Sequence, residues 1–496
     1  MRICLLTGGG YPFRRDALGG WCRTLVDGLA RFRFDLVTVS DREPPGGPAY
    51  PLPGHVRSAR TVALPRETPR REGRDEHATA AAALLCRGLV TEHDEVFARG
   101  LAGLAALADG GTAAAGAPLN AVPLADVLLE AWRAGRTSGA GDRLPRLSLR
   151  DARTAATLLR HAARALAVPL PEVDLVHCVG GTTPLLAALA GRWRTGTALL
   201  LTEARAPVAK FRAHEERLSP AVQAVLRRFR RAVARTGYAE AGLIAPLSEY
   251  HHSWALRHGA EPRRLVPVPA GVDPLDFPCA PEARNPPAIV WAGNGGPESG
   301  LGPLLDAFAR VAAAVPGTVL HLVGVTPAHE DHCAEQIERT GLGRAIRLHP
   351  LPADPSDRYA AGHVVVHVPG PSDTPYRLIE AMMSGRAVVG ADVGPVAETL
   401  GDAGVVVPDR DPAALAAACI SLLTAPARRR ALGDAARRRA LACFTADRVV
   451  RVYGALYTDL AGPPPAPAYE LTLAVPAPRD ARPATLRWLA GAGEDR

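Results

Sequence analysis

Lysine is all but missing. The 496-residue chain has 58 Lys and Arg residues, and one of them, Lys210, is lysine. Together with 48 glycines, 46 prolines and abundant alanine, this reads as the coding bias of a GC-rich genome. Arginine abundance therefore does not point to nucleic acid, whose partners concentrate charge on one face. Here 50 acidic residues are interspersed, and the net charge of +8 suits an anionic small substrate or a membrane surface. Paired cysteines are missing too. Cys4, Cys22, Cys86, Cys178, Cys279, Cys333, Cys419 and Cys443 show neither C-x-x-C spacing nor a Cys/His pattern of zinc-ligand type, so no metal ligands are expected and a reducing compartment is. Several sit in apolar runs as small hydrophobes. No apolar run reaches the ~18 residues of a membrane-spanning helix. The opening MRICLLTGGG is too short in its apolar part for a secretory leader, and a cytoplasmic location is expected. Neither a G-x-S-x-G elbow nor a Walker loop occurs, which argues against an α/β-hydrolase and a P-loop nucleotidase.

What is present is ordinary globular material: 47% hydrophobic and 22% charged residues with a mean hydropathy of +0.02. At ~150 residues per domain this suggests about three domains or two large ones. Ile3–Thr7, the glycines 8–10 and an amphipathic stretch opened by Gly19-Gly20 read as strand, loop and helix, with Phe34–Val39 as the next strand. Residues 41–75 read as loop. From about 76 to 165 the Ala/Leu-rich pattern predicts a helical insertion. Strands are predicted again at Val173–Cys178, Ala198–Thr202, Leu243–Leu247 and Leu265–Val268, with a basic helix at 220–236.

After a Pro-rich break a second α/β unit begins: strand Ala288–Ala292, glycine loop Gly293–Gly302, helix Pro303–Ala314, and strands at Val319–Val323, Ile346–Leu348, Val364–Val368, Ala387–Gly390 and Gly404–Val407. The expected architecture is α/β, with two Rossmann-like doubly wound domains over 1–275 and 288–445 and a cleft between them. A last helix over 446–460 is expected to cross back. Residues 463–496 form a Pro/Ala-rich tail whose TLRWLAG suggests a short docked helix.

The most informative block is TPYRLIEAMMSGRAVVGADVGPVAETLGDAGVVV. Thr374 is a candidate N-cap and Pro375 a candidate first helical residue. Glu380 follows on the same helix. A helix N-terminus at a cleft is an anion site, and a buried carboxylate there could accept bonds from a ribose diol. Gly394 and Glu398 open the next helix.

This block resembles the donor-site signature of retaining glycosyltransferases of the GT-B fold, family four, roughly E-G-x-P-x-x-x-x-E-A-M-x-x-G-x-P-V-V. AIVWAGNGGPESGLGPLLDAFARV and AGLIAPLSEYHHSWALRHGAEPRRLVPVPAGVD resemble further blocks in the same order. LTGGGYPFRRDALGGWCRTLV followed by TEAR resembles a subgroup with an extended N-terminal region, related to a pellicle-polysaccharide polymerase. The resemblance covers about 1–45 and 170–460.

It implies a nucleotide-sugar donor on the second domain, a carbohydrate or small-molecule acceptor on the first, retention of configuration, no cofactor and no metal. Residue by residue, it implies ribose binding by Glu380 and phosphate contact at Gly19, Gly20, Thr374, Pro375 and the loop of Gly293, Asn294, Gly295, Gly296 and Ser299. His177, Glu203 and Arg205 fall on the acceptor side.

Departures accompany it. Ser372 stands where the signature has its first glutamate, with Asp373 beside it. Asn294 and Ser299 stand where the family has Arg and Lys, and Ala204 where it has His. Asp373 and Arg377 become the candidates for the missing catalytic acid and cation. Two readings follow: a working transferase, or a binding or scaffold protein of the same shape without turnover. His251-His252 and the arginine runs at 227–231, 428–430 and 437–439 read as surface, with membrane contact a minor reading.

Overall fold

The computed structural model describes residues 1–41, 46–64, 75–108, 118–137, 144–204, 217–279, 282, 286–297, 299–369 and 374–462. Asp373, Ser372, Arg205, Lys210 and the tail from 463, with its TLRWLAG, lie outside them.

The first lobe is built on β1 (Arg2–Gly8), β2 (Arg33–Ser40), β3 (Val56–Ala63), β4 (Leu175–Val179), β5 (Ala198–Glu203) and β6 (Leu243–Pro246). Their order in space is 3-2-1-4-5-6, and every neighbouring pair is parallel. Its helices are α1 (Ala17–Gly28), α2 (Glu76–Thr91), α3 (Asp94–Leu107), α4 (Leu124–Thr137), α5 (Leu149–Ala163), α6 (Thr182–Thr195), α7 (Pro220–Glu240) and α8 (Glu249–Arg257).

The second lobe repeats the plan with β7 (Ala288–Ala292), β8 (Val319–Val323), β9 (Ile346–His349), β10 (Val364–His367), β11 (Ala387–Ala391) and β12 (Val405–Val407), in the order 12-11-10-7-8-9. Its helices are α9 (Leu301–Ala314), α10 (Glu330–Thr340), α11 (Tyr376–Met383), α12 (Val396–Leu400), α13 (Pro412–Thr424) and α14 (Pro426–Cys443), followed by α15 (Ala446–Ala461). Parallel strands are covered on both faces, which is why β7 (AIVWA) and β11 (AVVGA) are buried throughout and read as unbroken apolar runs. In each sheet the order reverses beside the first strand, at β1/β4 and at β7/β10. Such a reversal opens a crevice at the carboxyl ends of the strands. The two sheets give the GT-B fold.

The predicted insertion is α2–α5. It is no separate body: Ala82, Leu85 and Phe97 share one apolar core with Cys4, Leu6 and Val37 of the sheet. A second core joins the lobes, running from Trp21 and Leu25 on α1 to Tyr376, Met382 and Met383 on α11. Across the same junction the Tyr250 N–H donates to Glu398 Oε2 at 3.1 Å. The helix α15 returns to the first lobe, where its Tyr453 packs edge-on against Trp21.

Several expectations are corrected. Residues 56–63 are a strand: β3 lies at the sheet edge, is only half-buried, and its VRSARTVA carries little apolar signal. Leu265 makes one isolated bridge to Ile244 rather than a strand through Val268. The helix α1 starts before Gly19-Gly20: Asp16 is its N-cap and accepts the Gly19 N–H at 2.6 Å. His251 is not on the surface but fully buried, with Nδ1 2.6 Å from Ser248 Oγ.

The arginine runs are only partly solvent-facing. Arg429 is 5% exposed and binds Glu282 and two carbonyls. Arg439 donates to the carbonyls of Thr399 and Glu398. Guanidinium forks take several carbonyls at once, which lets arginine close helix ends where a point-charge lysine would not.

Candidate functional site

The carboxyl ends of β7, β8 and β10 converge in the second lobe. After β7 the chain turns at once: Gly293 N–H donates to Val323 O at 3.0 Å, and Gly296 N–H to Asn294 Oδ1 at 3.1 Å. Two of the amides expected to face a diphosphate are therefore spent inside the loop. Asn294 itself is exposed. Gly300 ends the loop with φ +71°, and a Cβ there would lie 2.6 Å from Val368 Cγ1, so this approach to β10 needs glycine.

Three polar atoms at this edge are buried without a partner among the described residues: Ser299 Oγ, His367 Nε2 and Arg377 Nη1. Buried polar groups are nearly always satisfied, and each exception calls for an explanation. Arg377 Nη1 reaches the turn after β8, 3.7 Å from where a Gly324 Cβ would stand; φ at Gly324 is +85°. Burial, and secondarily the Arg377 charge, hold the His367 imidazole down to about 3, so it is neutral at physiological pH.

Arg377 sits in the first turn of α11, and Glu380 follows on the same face one turn later. The expected cap is corrected here. Pro375 is the N-cap, its carbonyl receiving Ile379 N–H at 2.9 Å, and no side chain caps the helix. Thr374 precedes the cap and makes no capping bond; the ladder starts at the Pro375 carbonyl. An uncapped N-terminus leaves backbone donors for an anion.

The Glu380 carboxylate is 9% exposed. Its Oε2 receives the Arg358 Nη1 proton, and the Tyr359 hydroxyl lies 2.9 Å away. The same hydroxyl is 3.0 Å from the Arg377 carbonyl. Arg358 also lies over the Phe277 ring, 5.6 Å from its centroid. Sequence reasoning singled out Glu380 and Arg377 and did not single out Arg358, Tyr359 or His367, which the structure sets close to them. Nothing in local spacing links residues 22 and 21 positions apart. The one available signal was an Arg-Tyr pair just ahead of a strand.

In the first lobe a cleft of about 510 Å³ opens at the carboxyl ends of β1, β2 and β4. Its wall includes Gly9, Arg14, Asp16, Gly19, Thr38 and Thr182, and α6 begins there at Gly181 with no side-chain cap. Gly19 and Gly20 lie in the first turn of α1, with Gly19 N–H on Asp16 Oδ1 and Gly20 N–H on Asp16 O.

The acceptor-side residues lie deeper. Glu203 is 4% exposed and accepts the Tyr238 hydroxyl at 2.7 Å. His177 is fully buried, Nδ1 2.7 Å from Tyr457 O–H and Nε2 2.7 Å from Thr202 Oγ1. With both nitrogens occupied it is part of the packing between the sheet and α15, and it presents no surface to a substrate. Among the described residues no group of three or more His, Cys, Asp or Glu side chains could hold a metal ion, and no helix is long and apolar enough to cross a membrane.

Two crevices at strand-order reversals, one with unpaired donors at a helix N-terminus, define a two-lobed protein of the GT-B fold. Residues 286–425 match the family described as glycosyl transferases group 1. Residues 1–263 match the family described as a domain of unknown function, DUF3492, and by this match, over more than half its length, the chain belongs to that family.

Among curated proteins it is 33% identical over 242 residues to D-inositol 3-phosphate glycosyltransferase of Geodermatophilus obscurus, covering 44% of this chain and 52% of the relative. It is 30% identical over 239 residues to the protein of the same description from Kineococcus radiotolerans, covering 41% and 54%. The chain thus spans about half the length of these relatives. Among solved structures it resembles sucrose-phosphate synthase from Thermosynechococcus elongatus (TM-score 0.62, 18% identity, 92% of this chain and 98% of the other). It also resembles Anabaena HepE in complex with UDP (TM-score 0.58, 15% identity, 93% and 100%).

Proposed function

We propose that the chain is a glycosyltransferase that moves a sugar from a nucleoside-diphosphate sugar, held on the second lobe, to a carbohydrate or small-molecule acceptor in the cleft of the first, with retention of configuration. The observation that carries this reading is the Arg377 guanidinium. It is buried in part, without a partner on Nη1, at the uncapped start of α11, with His367 Nε2 and Ser299 Oγ unpaired at the same sheet edge. Cleaving the bond from sugar to diphosphate leaves growing negative charge on the leaving phosphate. Fixed donors aimed at developing charge are worth several kcal/mol of barrier. In this reading Arg377 supplies the charge that Asn294 and Ser299 do not, and the α11 backbone donors supply the remainder. The deprotonating base for the acceptor is the leaving phosphate itself, and Asp373 stays the candidate acid that the sequence offers. No resident metal is required, which is tested by activity surviving EDTA.

The replaced cations and the spent amides of Gly293 and Gly296 favour the second reading, a nucleotide-binding scaffold without turnover. Calorimetry with UDP and GDP, followed by an assay of donor hydrolysis and transfer, separates the two. Binding with transfer, and an unchanged anomeric signal in the product by NMR, supports the enzyme. Binding without hydrolysis or transfer supports the scaffold. That HepE was solved with UDP makes UDP the first nucleotide to test.

A further inference from the structure

The Glu380 carboxylate is not simply an acid in a cleft; one of its oxygens is already used. Arg358 Nη1 and the Tyr359 hydroxyl both meet Oε2. Oε1 accepts nothing among the described residues, and the Glu380 side chain keeps 11% of its surface exposed. The two donors are themselves fixed. Arg358 closes a 3-10 turn, Pro355–Arg358, whose N-cap Asp354 accepts Ser356 N–H at 2.9 Å. Its guanidinium lies over Phe277 on the segment that joins the lobes. The Tyr359 side chain is 1% exposed, and burial with the neighbouring carboxylate keeps its hydroxyl protonated. That hydroxyl also touches the Arg377 carbonyl.

We propose that Arg358 and Tyr359 are positioning residues: by filling Oε2 they turn Oε1 of Glu380 outward as a fixed acceptor for a hydroxyl of the nucleotide ribose. This rests on the reading of the chain as a nucleotide-sugar-binding protein.

The arrangement is hard to explain as a stability device. Burying an ion pair costs desolvation that the attraction often fails to recover, and an apolar replacement is frequently neutral. Arg358 Nε is moreover buried without a partner, a further cost. What the pair does provide is orientation. A carboxylate with both oxygens free can rotate; one clamped from one side by an arginine and a tyrosine presents its other oxygen in one direction. Preorganised acceptors lose less on binding. Because Tyr359 also touches the Arg377 backbone, the acceptor for the sugar hydroxyls and the cation for the phosphates are set at a fixed separation.

The test is discrimination between UDP and 2′-deoxy-UDP by calorimetry. Wild type is expected to favour UDP about tenfold, the worth of one hydrogen bond to a charged acceptor. Glu380→Ala should abolish the preference. Arg358→Gln and Tyr359→Phe should lower it toward unity by weakening UDP while leaving 2′-deoxy-UDP within about twofold, since a general structural defect would weaken both alike. Arg358→Lys, which keeps the charge without the fork, should fall between. If Arg358→Gln fails to fold, Tyr359→Phe carries the test.

A wild-type ratio in Arg358→Gln and Tyr359→Phe, with a lost ratio in Glu380→Ala, overturns the positioning role and leaves the ribose role standing. An unchanged ratio in Glu380→Ala overturns the ribose role as well. If GDP is the nucleotide that binds, the GDP and 2′-deoxy-GDP pair is read in the same way. Failure of UDP, GDP and ADP alike to bind overturns the underlying reading and this inference with it.

Discussion

The Tyr457 hydroxyl lies 2.7 Å from His177 Nδ1, across 280 positions of sequence. It closes a buried chain: Tyr453 O–H to Thr202 Oγ1 at 2.7 Å, Thr202 to His177 Nε2, and His177 to Tyr457. The chain fastens α15 to β4 and β5. Removing one end leaves a buried nitrogen unpaired, which costs about 1–3 kcal/mol. Tyr457→Phe is therefore expected to lower the thermal midpoint clearly while the secondary structure seen by circular dichroism is unchanged. A midpoint equal to wild type would show that the hydroxyl does not matter.

Acid sensitivity follows from the buried histidines. Burial holds His177 and His367 to about 3 and His251 to about 4. The unfolded chain takes up these protons near pH 6.5, whereas the folded chain stays neutral until the lower values are reached. Between those limits the unfolded state binds more protons, so stability falls as pH falls. Each histidine contributes up to about 1.4 kcal/mol per pH unit. Unfolding followed at pH 7.5, 6.5 and 5.5 should show the three histidines together costing about 1 kcal/mol over the first interval and about 3 kcal/mol over the second. Equal stability at all three would contradict the buried, neutral assignment.

Arg377 separates function from stability. Its side chain makes no hydrogen bond within the described structure, so Arg377→Gln should alter folding stability by less than about 0.5 kcal/mol. Nucleotide affinity should drop at least tenfold and turnover about 100- to 1,000-fold, the scale seen when one charge-stabilising donor is removed. Calorimetry and a transfer assay on the same preparation check both; unchanged affinity would remove Arg377 from the phosphate site.

Gly300 tests the loop before α9. Alanine there would need φ +71° and would meet Val368 at 2.6–2.7 Å. Gly300→Ala is expected to cost about 1–3 kcal/mol, read as a lower denaturation midpoint with an unchanged denaturant slope.

Arg429 tests the idea that arginine is structural here. Two 2.8 Å bonds to Glu282 and bonds to the Leu422 and Leu423 carbonyls fill its fork, and they hold Glu282 below the usual carboxylate range. Arg429→Lys keeps the charge and loses the geometry, so a loss of about 1–3 kcal/mol is expected. A neutral substitution would return Arg429 to the solvated face that its run suggests.

Local pattern by itself determined the repeated strand–glycine–helix plan of both lobes, the break between them, the helix carrying Arg377 and Glu380, and the returning C-terminal helix. Apolar runs, turn glycines and 3.6-residue periodicity report on neighbours in sequence, and those elements are made by such neighbours. Tertiary structure decided what each polar residue is for. His177 and His251 became core because the strand order buries them. The edge strand β3, half exposed, left no run to read. Arg358 and Tyr359 met Glu380, and His367 came under the Arg377 charge, because the sheet reverses its order beside β7. Charge and hydrogen-bonding capacity are spent between elements that the crossing of parallel strands brings together, and that pairing is absent from any local window of the chain.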